Sequence, residues 1–194
     1  MSTSQGADVS AAPHDPEERL IRRPMSLEDY LALPEGRVEW VEGEAIFMNA
    51  SPRARHQRIA AGLAILIEEA TGLFCVAAVG FWTRPHRKSR IPDVLATKGR
   101  FDESWAPTTP VLCVEVLSPS TRSEDLVRKS HEYAAAGVEQ YWVVDPAASE
   151  LRVYSNNGDG WDESAVLDAE HPTATIQIGD HGEVEIDLER LLRR

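Results

Sequence analysis

The chain has 194 residues, of which 42% are hydrophobic and 7% aromatic, a composition typical of one globular domain. Its formal net charge of −12 excludes a protein that coats nucleic acid through a uniformly basic surface, but not an enzyme with locally clustered positive charge. No apolar run reaches the roughly 18 residues that span a bilayer, and the N-terminus lacks a signal-peptide core. We therefore expect a soluble, cytoplasmic protein with no membrane partner.

The first 24 residues are rich in serine, alanine, proline and charge. Such a segment cannot bury enough apolar surface to offset the entropy lost on folding. We therefore predict a disordered tail over residues 1–24 and a single domain over residues 25–194. Cys75 and Cys113 lie in apolar runs and are expected to be buried free thiols, because two cysteines do not build a disulfide framework.

The first ordered elements are predicted to be a short helix and a hairpin. Ser26 and Asp29 have the spacing of a helix-capping pair, and the helix that they open should end before Pro34. Residues 38–48 then alternate apolar and acidic side chains around Gly43, which is typical of two strands joined by a tight turn.

A long helix and two strands are predicted next. Apolar residues recur at spacings of three and four from Ile59 to Ala70, and Gly72 should end this helix. The runs 73–82 and 90–97 have the composition of strands. The basic segment between them is equally compatible with a solvated loop and with a surface that attracts an anionic substrate. Its charged residues are Arg84, His86, Arg87, Lys88 and Arg90.

The second half of the chain is predicted to contain a strand over 111–117, a helix over 124–136 and a strand over 140–144. Strand, helix and strand in this order favour a parallel crossover in a sheet that is buried on both faces. Short alternating strands follow from Trp161, and a last helix spans 188–193. Together with the earlier hairpins, this predicts an α/β fold with a mixed central sheet flanked by helices.

Two carboxylates mark the candidate site. Asp93 follows Pro92 beside an apolar strand, and Glu115 interrupts the apolar run 111–117 on the face opposite to Val114. A lone buried anion is costly unless something compensates it, and a divalent cation such as Mg²⁺ or Mn²⁺ suits carboxylate ligands. The alternative is a strand-end glutamate that meets solvent or pairs with an arginine.

Three further residues have both a functional and an ordinary interpretation. Lys129 follows Asp125 by four residues, so a surface salt bridge would explain both. Glu39 alternates with apolar neighbours, as in any hairpin with one solvated face. His56 lies at the start of the long helix, where contact with phosphate or metal is possible but a surface or capping role is favoured.

The order of these motifs resembles the PD-(D/E)XK nuclease superfamily and, within it, a widespread bacterial family of putative restriction endonucleases. The resemblance extends over about residues 26–154, with weaker similarity towards the C-terminus. It depends on a long ordered series of motifs rather than on a single dipeptide. The motifs are VEWVEGE, RARHQRI, RIPDV, VEVLSPSTR, DLVRK with YAAAGV, and YWVVDP.

This resemblance implies a restriction-endonuclease-like core with a metal site. Asp93 and Glu115, which are 22 residues apart, match the two acidic positions that hold the metal, and Glu39 matches a position that would add a third ligand. The superfamily's usual lysine stands two residues after the second acid, where this chain has Leu117. Lys129 on the next helix is the expected substitute that aids the attacking water.

The function so implied is an endonuclease that uses Mg²⁺ or Mn²⁺ to hydrolyse phosphodiester bonds of DNA, acting as a homodimer. Trp82, Trp105 and Trp161 could serve an interface, although ordinary packing explains them equally well. One alternative is a catalytically silent oligomerisation or regulatory module on the same fold, which the charge and Leu117 favour. Another is a glycosidase with Asp93 and Glu115 as paired carboxylates, which leaves the lysine and the basic segment unexplained.

Overall fold

The computed structural model describes residues 20–34, 36–48, 54–118, 122 and 124–193. The α-helices in these ranges are α1 (Leu27–Leu31), α2 (Ala54–Thr71), α3 (Ser130–Ala136) and α4 (Leu188–Leu192), and a π-helix, Glu124–Lys129, leads directly into α3. None of these described helices is both long and apolar enough to cross a membrane. The strands are β1 (Leu20–Pro24), β2 (Val38–Val41), β3 (Glu44–Met48), β4 (Phe74–Ala77), β5 (Phe81–Arg84), β6 (Lys88–Arg90), β7 (Val94–Thr97), β8 (Leu112–Val116), β9 (Gln140–Asp145), β10 (Glu150–Asn156), β11 (Trp161–Leu167), β12 (Thr173–Gln177) and β13 (Glu183–Asp187).

The central sheet contains six of these strands in the order β11-β10-β9-β8-β7-β4. β8 and β9 are parallel, with Glu115 beside Val143, and the other neighbouring pairs are antiparallel. The π-helix and α3 lie between the two parallel strands in the chain, as a crossover requires. The predicted mixed central sheet is therefore confirmed.

A second sheet, β1-β3-β2-β6-β5, is antiparallel between all of its described neighbours, and β12 and β13 form a separate pair. The predicted hairpin over residues 38–48 forms β2 and β3 of this second sheet, so it does not join the central sheet as expected. The two predicted strand runs are each divided between the sheets. Ala78, at a φ of +56°, turns the chain before β5, and Pro92, which cannot donate a ladder hydrogen bond, separates β6 from β7.

The ordered chain begins earlier than its composition predicts. Residues 20–24, expected in the tail, pair with β3 from Leu20 opposite Met48 to Pro24 opposite Glu44. This ladder satisfies the backbone of β1 through a tertiary contact that local composition does not reveal. The rest of the predicted tail, residues 1–19, lies outside the described residues.

Apolar layers lie on both faces of the central sheet, and helices cover each of them. On one face, α2 packs against β8, and α4 packs against α2 in the same apolar cluster as Val114. On the other, Tyr133 of α3 packs against Cys113, so the predicted alternation along β8 is confirmed and Glu115 faces α3. Cys113 is a buried free thiol as expected, whereas Cys75, in β4, is only half-buried.

The tryptophans considered as interface residues pack within the chain. Trp82 and Trp105 stack with ring centroids 5.8 Å apart, and each meets the ring of Tyr30 edge-on. Trp161 packs against Tyr141 with centroids 5.8 Å apart. Internal packing therefore explains all three residues.

Candidate active site

Asp93 and Glu115 face each other across the centre of the main sheet. Val94 of β7 pairs with Val114 of β8, and this register, extended by one residue, places Asp93 opposite Glu115. The N–H of Val116 donates to Oδ2 of Asp93 at 2.8 Å, which fixes that carboxylate beside β8. Asp93 is 7% exposed and Glu115 2%, so the two acids form a buried pair.

Lys129 reaches Glu115 from the π-helix. Its Nζ lies 3.0 Å from Oε1 of Glu115, 3.1 Å from Oδ1 of Asp125 and 3.4 Å from Oε1 of Glu39. The hydroxyl of Tyr133 donates to the same Oε1 of Glu115 at 2.7 Å. Asp125, Lys129 and Tyr133 recur every four residues, so one side of this helical segment faces the acid. The predicted pairing of Lys129 with Asp125 exists, but it is buried rather than on the surface.

Asp93 contacts His56 and Arg37 on its other side. Nε2 of His56, from the first turn of α2, lies 3.1 Å from Oδ2, and a terminal nitrogen of Arg37 lies 3.2 Å from Oδ1. Burial would lower the pKa of His56, but the hydrogen bond and charge of Asp93 outweigh burial and raise it. The favoured surface or capping role of His56 is therefore replaced by direct contact with the candidate site.

Glu39 lies between two cations instead of facing solvent. Its Oε2 accepts a hydrogen bond from Arg90 at 2.7 Å, and its Oε1 accepts the N–H of Ile91 at 3.0 Å and lies 3.4 Å from Lys129. Burial would raise the pKa of Glu39, but Lys129 and Arg90 hold it below its usual range. The solvated-face interpretation of Glu39 is thereby corrected, because the side chain is 1% exposed.

The basic segment is a hairpin with a mixed environment rather than a loop. Arg84 and Lys88 lie in β5 and β6, which pair with each other. Arg90 is 1% exposed and binds internal carboxylates, and Lys88 contacts Glu132 at 3.2 Å. Arg90 and Lys88 therefore form ion pairs within the molecule. Arg84, His86 and Arg87 are exposed.

The pKa values of the two acids Asp93 and Glu115 shift in opposite directions. Burial, together with the charges of Asp125 and Asp93, raises the pKa of Glu115 well above its usual range despite Lys129. Burial would lower the pKa of Lys129, but the carboxylates, led by Asp125, raise it and keep the side chain an ammonium. Burial would raise the pKa of Asp93, but contacts led by the hydrogen bond from His56 lower it. Of Glu39, Asp93 and Glu115, only Glu115 has a raised pKa.

Asp93 and Glu115 are the two acids placed to bind a divalent cation together. The strand register sets them side by side, and Mg²⁺ or Mn²⁺ commonly binds through one or two carboxylates and otherwise through water and substrate. Glu39 comes from the second sheet and lies between Arg90 and Lys129. Among the described residues, no three His, Cys, Asp or Glu side chains form a metal-binding group on their own.

Sequence patterns missed several residues that surround the site. Arg37 precedes a strand with no motif of its own, and Tyr133 looks like an ordinary apolar helix residue. Glu124 and Glu132 look like solvated helix charges, yet their side chains are only 9% and 11% exposed. The spacing of Glu124 and Glu132 from Arg128 and Lys129 would equally suit a surface helix. Only the tertiary structure shows that both acids bind Arg90 of β6.

With this geometry in place, comparison with known proteins gives the family. The Uma2 family, described as "Putative restriction endonuclease", matches residues 27–188. The chain belongs to this family. No curated protein matches the chain.

A solved structure supports the same fold assignment. It is the crystal structure of a putative nuclease belonging to DUF820 from Anabaena variabilis ATCC 29413, and it superposes with a TM-score of 0.70. The two share 19% identity over 88% of this chain and 98% of the other. At this identity the likeness establishes the fold, so the Uma2 chain described here has the restriction-endonuclease-like fold that its motifs predicted.

Proposed function

We propose that the protein is a metal-dependent endonuclease that hydrolyses phosphodiester bonds of DNA in the cytoplasm. Membership of the Uma2 family supports nuclease chemistry as the general class. The observation that carries the proposal is the opposed pair Asp93 and Glu115 with Lys129 at 3.0 Å from Glu115. Two acids and a lysine from three different segments come together there, an arrangement that suits metal-assisted hydrolysis.

Asp93 and Glu115 would hold Mg²⁺ or Mn²⁺, and the cation would supply Lewis-acid chemistry to the phosphodiester and to the attacking water. Lys129 remains an ammonium, so it acts as a hydrogen-bond donor that offsets negative charge developing on the phosphate. Tyr133 holds Glu115 in place by donating to Oε1. Arg37, which with His56 flanks Asp93, would supply positive charge where a phosphate approaches.

A catalytically silent module on the same fold is the second candidate. It is favoured by the existing ion pairs, because Asp93 and Glu115 each already contact cationic side chains. Leu117 at the position of the usual lysine favours it as well. The glycosidase interpretation gives no role to Lys129 and is not retained.

Cleavage of supercoiled plasmid by the purified protein with Mg²⁺ or Mn²⁺ tests the proposal. We expect cutting that disappears in EDTA and falls at least about 100-fold in Asp93→Ala and Lys129→Ala. Arg152→Lys is the matched control, because Arg152 pairs with Glu150 and Glu163 on the exposed side of β10. Full metal-dependent activity in Asp93→Ala would refute the site. No cutting of duplex DNA, single-stranded DNA or RNA by folded protein would favour the silent module.

A further inference from the structure

A buried arginine joins the second sheet to the helical segment that supplies Lys129. The guanidinium of Arg90, in β6, is buried and contacts carboxylates from three elements. Its Nη1 lies 2.7 Å from Glu39 of β2 and 3.0 Å from Glu124 of the π-helix. Its Nε and Nη2 bind both oxygens of Glu132, in α3, at 2.6 and 3.2 Å. A planar guanidinium can make this set of contacts and an ammonium cannot.

Glu39 extends these contacts to the candidate site. One of its oxygens faces Arg90, and the other faces Lys129 at 3.4 Å and the N–H of Ile91 at 3.0 Å. Lys129 in turn lies 3.0 Å from Glu115. The second sheet is thus linked to the acid at the centre of the main sheet by an unbroken series of charged contacts.

We infer that Arg90 and Glu39 are positioning residues that hold Lys129 against Glu115, an inference that rests on the proposed nuclease function. Arg90 fixes Glu39 on one side and the helical segment on the other, through Glu124 and Glu132. Glu39 in turn contacts Lys129, which also contacts Glu115 and Asp125. This assigns Glu39 to positioning rather than to metal binding.

Two substitutions separate this role from metal binding and from plain stabilisation. Glu39→Gln keeps the shape of the side chain and removes its charge, and Arg90→Lys keeps the charge and removes the planar fork. In both we expect kcat to fall about tenfold or more while KM for DNA and half-saturating Mn²⁺ change less than about twofold. Arg152→Lys is the matched arginine control and should leave all three quantities unchanged.

Acetylation of lysines, read by peptide mass spectrometry, follows the position of Lys129 without relying on activity. The chain has three lysines, and Lys98, with a side chain 64% exposed, is the internal reference for labelling. Lys129, with a side chain 6% exposed, should be labelled slowly in the wild type. Its labelling relative to Lys98 should increase in both variants while circular dichroism shows that the fold is retained.

Several results would overturn the inference. A rise in half-saturating Mn²⁺ in Glu39→Gln that matches Asp93→Asn would make Glu39 a metal ligand. An unchanged kcat in both variants would make the network purely structural. If wild-type protein cuts no nucleic acid, the proposed function fails, and labelling alone decides: faster labelling of Lys129 supports positioning, and unchanged labelling refutes it. If Arg90→Lys does not fold, Glu39→Gln decides by the same criteria.

Discussion

At the scale of single residues, the site is governed by the imbalance between buried acids and buried bases. Lys129 touches three carboxylates, yet burial still raises the pKa of Glu115. A buried carboxylate without full compensation is costly in water-excluded surroundings, and proteins retain such groups mainly where chemistry needs them. The raised pKa of Glu115 is the kind of perturbation that is frequent at functional sites, in agreement with its proposed role.

Glu132 gives a pH-dependent prediction outside the proposed metal ligands. Burial would raise its pKa, but hydrogen bonds and charge from Arg90, with Lys88, lower it. Because the folded pKa is depressed, the stabilisation is present above the unfolded pKa of about 4.5 and is lost as pH falls through the folded value. We expect Glu132→Gln to reduce the free energy of unfolding by about 2 kcal/mol near pH 7, since it removes a charge from a largely buried pair.

Urea unfolding of wild type and Glu132→Gln across acidic pH measures this effect. The difference between the two proteins should shrink as pH falls below about 4.5. Glu163→Gln, which alters an exposed partner of Arg152, provides the control and should cost little at any pH. A difference for Glu132→Gln that stays constant with pH would show that its carboxylate charge is not the stabilising feature.

At the scale of elements, the segment from Glu124 to Ala136 delivers three side chains to one site. Its π-helical part widens the turn that contains Asp125 and Lys129, and π-helical turns are frequent at functional sites. The segment ends in a tight cap, in which the N–H groups of Gly137 and Val138 donate to Ala134 and Tyr133. This is the Schellman pattern, and it fixes the end of the helix that holds Tyr133 against Glu115.

Gly137 has a φ of +83°, a backbone conformation that disfavours any residue with a Cβ. We expect Gly137→Ala to lower the free energy of unfolding by about 1 kcal/mol or somewhat more, because its native conformation becomes strained. Chemical denaturation measures the loss. Gly160→Ala is the control, since Gly160 has ordinary φ and an added Cβ there meets nothing within 4 Å. Equal effects for the two glycines would contradict the role of the left-handed conformation.

At the scale of the whole molecule, the two sheets are linked at the site by charged contacts beside the apolar contact of Phe81 with Tyr133. Glu115 of β8 and Asp93, just before β7, meet Lys129, which also contacts Glu39 of the second sheet. The acidic composition is consistent with this arrangement, because many of the chain's bases are already paired internally. Under the proposed function, a nucleic acid would then be attracted by local positive charge, such as that of Arg37, rather than by net charge.

The predicted homodimer is tested at this scale. We expect light scattering to give twice the 21.5 kDa of one chain, because cutting both strands of a duplex requires two sites. Plasmid products give an independent measure, since a dimer should yield linear DNA early and a monomer should accumulate nicked circles. A monomeric mass together with accumulation of nicked circles would refute the dimer.

Much of the fold and part of the site followed from sequence patterns alone. Period-two alternation predicted which face of β8 holds Glu115, and apolar spacing with Gly72 predicted α2 and its end. These features are local, since steric and hydrophobic preferences act within a few residues. The ordered motifs likewise predicted the family and the restriction-endonuclease-like core.

The tertiary structure alone decided the contacts of the charged residues. The sequence could not distinguish a surface pair of Asp125 and Lys129 from a buried pair. It also could not show that the side chain of Arg90 points inward and binds Glu39. The approach of Arg37 and His56 to the same carboxylate was equally hidden. The physical reason is that the burial of a charge depends on segments tens of residues apart, whereas local patterns report only which side chains share a face.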